Sequence, residues 1–352
     1  YPGQGKIINY GVAVYKNIWE PLELYLMNCS KVYYAPSGML HQLSFAAIPL
    51  NDSVCISDKY NLIRVSSTAQ IIDSKQQEMP IPESIMVYGG IVFDTELAEQ
   101  VVLARQFSKT KVDVYDEMYD ASQESSRGES WSYLPGTLTE AQGIHFLAKK
   151  SELQSTMRSG KDAIEELFKH DVENLAPDVI HIATHGFFFP NTGIDEMHGF
   201  WFRNKKQLLY RSTKNPLNRA GLLFSGANNA WNGKELPDDI DDGILTAYEI
   251  ANMKLHNTQL VVLSACETGL GDINNEEGVF GLQRAFKTAG VQYIIMSLWK
   301  VPDIETSEFM QLFYNKWFSG YSIEDAFNSA QAEMRNKYRG QPHKWAAFVL
   351  MN

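Results

Sequence analysis

Two stretches decide the fold: Val179-Ile180-His181-Ile182-Ala183-Thr184-His185-Gly186 and Leu260-Val261-Val262-Leu263-Ser264-Ala265-Cys266-Glu267-Thr268-Gly269. Each is a short apolar run that ends in polar residues beside a glycine. Runs like these read as strands buried on both faces, the kind that parallel sheets contain. The reactive residue falls just past the run in both. If the strands are parallel neighbours, His185 and Cys266 leave one edge of one sheet together.

The same rhythm extends outward. Strands are expected at residues 31–36, 43–48, 62–65, 84–91, 111–115, 222–225, 292–298 and 345–351. Residues 22–27 begin a helix. Helical spacing marks 97–107, 138–148, 161–169, 244–250, 278–289, 306–317 and 323–338. Thr137 or Thr139 can cap the second of these, and Gly290 can stop the one before it. Residues 120–132, rich in Ser, Glu, Gly and Gln, read as a link or exposed loop. Polar inserts at about 190–218 and 227–242 fall at strand ends, where such folds hold their sites. The alternation predicts an α/β fold: a three-layer sandwich with a mostly parallel central sheet and helices on both faces.

The chain has 352 residues, 44% hydrophobic and 21% charged, ordinary for a globular protein with room for two cores. Its formal charge of −11 argues against nucleic acid as a partner. Arg203, Lys205, Lys206, Arg211 and Lys214 form the best basic cluster, but without regular spacing they read as a solvated loop. Three cysteines, Cys29, Cys55 and Cys266, make no disulfide framework and fit a reducing, cytoplasmic setting. Cys29 and Cys55 read as structural. No apolar run approaches the roughly 20 residues that span a bilayer, and no signal peptide opens the chain, so no membrane is expected. A first residue of Tyr1 suggests a piece of something longer.

No cofactor or metal is expected. His181 and His185 are four apart, but on a strand that spacing is about 13 Å, too far for one ion. The Gly269-Leu270-Gly271 turn lacks the rest of a phosphate-binding loop, and no calcium loop is visible.

A thiol becomes a nucleophile beside a base or cation. His185 can supply the cation and return the proton to a leaving amine. The N–H groups of Gly186 and Cys266 can form an oxyanion hole. From spacing alone, a cysteine after an apolar strand equally reads as buried and inert.

The segment Leu263 to Gly269, followed by Glu277-Gly278-Val279, resembles the signature of the CHAT domain, a caspase-like domain often attached to tetratricopeptide repeats. The resemblance continues at Ala289-Gly290, Ser297-Leu298-Trp299, Val301, Asp303 and Trp345-Ala346-Ala347-Phe348-Val349. It also takes in Leu134-Pro135-Gly136-Thr137, Glu140-Ala141, His185-Gly186, Gly221-Leu222, Ala227-Asn228, Asp242 to Ala247 and Glu249-Ile250. It is strong over 134–350 and looser at Tyr34-Ala35-Pro36 and residues 41–49. The family is related to separases, caspases and gingipains, whose catalytic histidine and cysteine correspond to His185 and Cys266. The 81 residues from 185 to 266 exceed the usual caspase spacing; the insert after His185 accounts for them.

The resemblance implies a cysteine endopeptidase acting on a protein or peptide substrate through a Cys-His dyad and an acyl-enzyme, regulated by an upstream tetratricopeptide-type module. Basic-specific metacaspases carry an acid two residues before the cysteine, where this chain has Ser264. Likeness to separases around residues 298–303 instead places Asp303 at the floor of a pocket for a basic residue, though Asp303 could equally cap the following helix. Asp241, Asp242 and Glu267 are rival acids. Trp299 either lines the cleft or fills the core. Residues 1–130 are expected to form an inactive caspase-like subdomain and 131–352 the peptidase subdomain; extension of the main sheet is the alternative. Two other functions remain: a catalytically silent interaction or signalling module, and another thiol-dependent acyl transfer or hydrolysis.

Overall fold

The computed structural model describes residues 11–51, 54–67, 80–108, 130–189, 210, 213, 215–264, 272–274 and 278–352. Its strands are β1 (Lys31–Tyr34), β2 (Asn61–Arg64), β3 (Ser84–Ile91), β4 (Gln154–Gly160), β5 (Val179–Ala183), β6 (Gly186–Phe188), β7 (Ala220–Leu223), β8 (Ile244–Thr246), β9 (Leu260–Ser264), β10 (Asp272–Asn274), β11 (Gly278–Phe280), β12 (Tyr293–Ser297) and β13 (Phe348–Met351). Its α-helices are α1 (Glu23–Leu26), α2 (Ile56–Lys59), α3 (Leu97–Ala104), α4 (Pro135–Lys150), α5 (Glu165–Leu175), α6 (Ala227–Trp231), α7 (Ala247–Ala251), α8 (Leu282–Thr288), α9 (Asp303–Phe318) and α10 (Ile323–Lys337).

Eight strands form one sheet in the order β1-β2-β13-β12-β9-β5-β3-β4. Every neighbouring pair is parallel except β12 and β13. β9 shows why the centre holds: Leu260, Val261, Val262 and Leu263 are all fully buried. Burial of each such side chain stabilises by roughly 1.5–3 kcal/mol. Alternation along the strands divides the core into two layers. Met86, Tyr88, Ile180, Ile182, Val261 and Leu263 face α5 and α8 through Phe168 and Phe286. Ile85, Val87, Val179, Leu260 and Val262 face α4, α9 and α10 through Ile144, Phe309, Phe313 and Ala326. The expected α/β sandwich is therefore the observed one.

Strands from both sides of residue 130 share this sheet. β3 lies between β5 and β4, and β2 meets β13 through Arg64 and Met351. Residues 14–62 add a small core of their own around Trp19, Phe45, Ile56 and Tyr60.

Several expected boundaries shift. Residues 45–47 form a single 3-10 turn, not a strand. Residues 244–250 begin as β8 and turn helical only after Thr246. The Thr246 hydroxyl accepts from Glu249 N–H while the Glu249 carboxylate accepts from Thr246 N–H, a reciprocal cap. Residues 278–280 are β11, paired antiparallel with β10, and α8 begins only at Leu282. The strand expected at 111–115 lies outside the described residues.

α4 is seated against the end of β3 by two glycines. Gly90 has φ +63°, and its N–H donates to Thr137 Oγ1 at 2.9 Å. A Cβ at Gly89 would meet the Thr137 carbonyl at 2.5 Å. Only glycine fits both demands, so the N-terminus of α4 reaches the carboxyl edge of the sheet.

Candidate active site

β5 and β9 are adjacent and parallel, with Ala183 opposite Ser264 as their last register pair. The chain therefore leaves both strands at one edge. His185 lies two residues past Ala183, and Cys266 lies two residues past Ser264 in the sequence. Cys266 and its neighbour Glu267 lie outside the described residues, as does the basic cluster at 203–206, 211 and 214.

The His185 ring is half-buried. Its Nε2–H donates to the Ser132 carbonyl at 2.8 Å. A carbonyl only accepts, so Nε2 carries the proton of the neutral ring and Nδ1 is left as the basic nitrogen. The ring packs against Trp131 and Phe93, at centroid distances of 4.9 Å and 5.1 Å. Burial lowers the imidazole pKa; the Ser132 bond opposes this, and the charge of Lys300 adds to it.

The segment that carries Ser132 is held from α6. Asn228 Oδ1 accepts from Trp131 N–H at 2.8 Å, and Asn228 Nδ2 donates to the Trp131 carbonyl at 3.0 Å and to Asp94 Oδ1 at 2.7 Å. Asn232 Nδ2 adds a bond to Ser130 Oγ at 3.0 Å. Sequence reading named no orienting partner for His185. The partner is a main-chain carbonyl, which no residue type reveals.

Gly186 opens β6, which pairs antiparallel with β7 at Gly186–Leu222. Leu223 N–H donates to the His185 carbonyl, and Phe189 N–H to the Arg219 carbonyl. That pattern makes Gly186–Leu222 a non-hydrogen-bonded pair of the ladder. The Gly186 N–H therefore points away from β7.

A cavity at the carboxyl ends of β5, β9 and β12 is lined by Glu140, Thr184, Ser264, Lys300 and Asp303, among others. Asp303 is the first residue of α9, exposed, and packs on Gly136, which has no side chain to block it. Asp241 and Asp242 do not line this cavity. Asp242 accepts from Ile244 N–H at 2.9 Å and from the Tyr210 hydroxyl at 3.2 Å. Asp241 lies 3.1 Å from Lys169 Nζ. Trp299 packs against both core layers and donates from Nε1 to the His343 carbonyl at 3.2 Å. It is absent from the lining of this cavity.

Among the described residues, one group of acids has metal-ligand spacing: Glu165, Asp241 and Glu249. Lys169 Nζ already lies among them, at 2.7, 3.1 and 3.0 Å. Burial alone would lower the Lys169 pKa, but the three carboxylates outweigh it and hold the ammonium protonated. Cys29 is exposed, and the Cys55 thiol donates to Asp58 Oδ2 at 3.1 Å. Among the described residues no helix is long and apolar enough to cross a membrane.

The family model of the CHAT domain matches residues 9–352. The chain belongs to the CHAT domain family. Among curated proteins, the CHAT chain is 29% identical over 127 residues to tetratricopeptide repeat protein 28 of Homo sapiens, covering 35% of this chain and 5% of that protein. Its Mus musculus counterpart is 30% identical over 109 residues, covering 31% and 4%. The CHAT chain thus spans about a twentieth of the length of these relatives. Among solved structures, the Arg-specific cysteine proteinase gingipain R aligns with a TM-score of 0.52 at 9% identity, over 99% of this chain and 67% of its own. The complex of Porphyromonas gingivalis RgpB pro- and mature domains gives 0.51 at 10% identity, over 99% and 68%. A Saccharomyces cerevisiae separase–securin complex aligns at 0.47 and 11% identity, over 91% of this chain and 15% of that one. The CHAT domain shares the caspase-like fold of gingipain R.

Proposed function

We propose that this CHAT domain is a cysteine endopeptidase. The Cys266 thiol gives its proton to His185 Nδ1, and the thiolate attacks the scissile carbonyl. The N–H groups of Gly186 and Cys266 donate to the developing oxyanion. His185 returns the proton to the leaving amine, and water then hydrolyses the acyl-enzyme. The observation that carries this reading is the His185 tautomer: at the shared edge of β5 and β9, Nε2–H is held by Ser132 and Nδ1 is left basic.

We assign recognition of a basic residue before the cut to Asp303. It lines the cavity, whereas Asp242 is already engaged by Ile244 and Tyr210. Glu140, the other acid lining the cavity, already accepts from the Ser264 hydroxyl, and Glu267 adjoins the nucleophile in sequence. In this reading residues 1–130 contribute strands but no catalytic group. In this reading a tetratricopeptide-type module, of the kind the curated relatives are named for, controls the site.

A peptide library varied at the residue before the cut, offered to the wild type and to Cys266→Ala, tests this. Cleavage after arginine or lysine that the substitution abolishes is the expected result. No cleavage by the wild type, or undiminished cleavage by the variant, overturns the peptidase reading. A dominant preference for uncharged or acidic residues overturns only the role of Asp303. One observation favours the second reading, a silent interaction module: Trp131 and Phe93 pack against the His185 ring and leave it half-buried. Absence of turnover across the library would support it.

A further inference from the structure

A buried polar chain that the reaction above does not use runs beneath the cavity. The Tyr314 hydroxyl of α9 lies 3.2 Å from His181 Nδ1. His181 Nε2 lies 3.1 Å from Glu140 Oε1. Glu140 Oε2 accepts the Ser264 hydroxyl at 3.0 Å. Glu140 is 3% exposed, and His181 and Tyr314 are fully buried. Glu140 Oε1 and His181 Nε2 approach without an aligned hydrogen bond and have no other partner.

A buried carboxyl group in such a place is costly, and apolar residues of similar volume would serve stability as well. Its position in the fold gives it a different use. The four residues come from the four elements that deliver the parts of the site. β5 leads to His185, and β9 leads to Cys266. α4 follows directly from the segment that carries Ser132, and α9 begins at Asp303. Ser264 is the last residue of β9 and shares with Val262 the face that meets α4. Its hydroxyl is the point where this chain of contacts touches the nucleophile's strand.

We propose that Glu140 is a positioning residue. Through the Ser264 hydroxyl it fixes where β9 ends, and so how the nucleophile two residues further on meets His185. His181 and Tyr314 in turn fix the Glu140 carboxylate. The proposal rests on the Cys266–His185 reading.

The test uses iodoacetamide on the full chain, with Cys266 alkylation followed by peptide mass mapping across pH. A thiol that gives its proton to a neighbouring base alkylates below the free-thiol value of about 8.5. Ser264→Ala removes one hydroxyl from a half-buried site and leaves the fold standing. Its acidic limb should move up by about one pH unit, a roughly tenfold loss of labelling near pH 6. Glu140→Ala should behave alike, and combining the two should add little. Glu140→Gln keeps an acceptor for Ser264 and should stay within about threefold of the wild type, with its limb in place.

Wild-type labelling rates and pH limbs in Ser264→Ala and Glu140→Ala overturn the proposal. So does an effect of Glu140→Ala alone, which would mark general loosening of the core. A wild type that labels like a free thiol sinks the dyad reading itself, and the proposal with it.

Discussion

Replacing Asn228 with alanine should separate the two tasks of the segment that crosses His185. Asn228 is 2% exposed and makes three bonds: two to the Trp131 main chain and one to the Asp94 carboxylate. Neutral buried bonds contribute about 1 kcal/mol each and a bond to a charged group about 1.5 kcal/mol, so Asn228→Ala should cost about 3.5 kcal/mol. That lies within the stability of most domains, so the variant should still fold. Urea unfolding measures the loss. The functional effect is separate. With Trp131 released, the Ser132 carbonyl no longer fixes the tautomer of His185, and misplacement of about 1 Å costs on the order of 10²-fold in turnover. Steady-state cleavage of a library-selected peptide measures that. A variant that loses stability yet cleaves at the wild-type rate would refute the orienting role of the Ser132 carbonyl. A variant with unchanged stability would refute the clamp.

Three further outcomes follow from the same structure. Burial holds the His185 pKa below its ordinary 6.5, so the base form persists as pH falls and the acidic limb of peptide cleavage should lie below pH 6.5; a limb at or above 6.5 contradicts this. His41 is held down to about 4 by burial and by the nearby Arg64 charge. The unfolded state therefore binds more protons between pH 6.5 and 4, stability falls as pH falls through that window, and about 3 kcal/mol is lost below it. His41→Gln should abolish that component in urea titrations at several pH values, and parallel curves for the two proteins would refute it. Gly136→Ala drives a methyl into Asp303, so it should destabilise by about 1–3 kcal/mol and weaken any preference for a basic residue, read in the same library; an unchanged preference counts against Asp303.

Much of the framework was legible because the deciding strands are chemically plain. In β5 and β9 nearly every residue is apolar, and polar residues stand at or just past each end, so strand, edge and candidate dyad could be read together. β4 was not read: Gln154-Ser155-Thr156-Met157-Arg158-Ser159-Gly160 has one apolar residue, and it is an edge strand that pairs only with β3. β8 was taken for helix because residues 244–250 carry helical spacing; the cap at Thr246 divides them instead. Among the candidate site residues, His185 and Asp303 were named through motif resemblance. The Ser132 carbonyl was not, because it is main chain, 53 residues from its partner. Glu140 was named only within the family resemblance and given no role, because its partners His181 and Ser264 come from two other strands.

The central claim is that His185 activates Cys266 for attack on a peptide carbonyl. Its most direct test is a peptidyl acyloxymethyl ketone bearing arginine at the reactive end, with the adduct located by mass spectrometry in the wild type and in His185→Ala. The account predicts a stoichiometric adduct on Cys266 of the wild type, formed at least about a hundredfold more slowly without His185. No adduct on Cys266, or one that forms equally fast in both proteins, would contradict it.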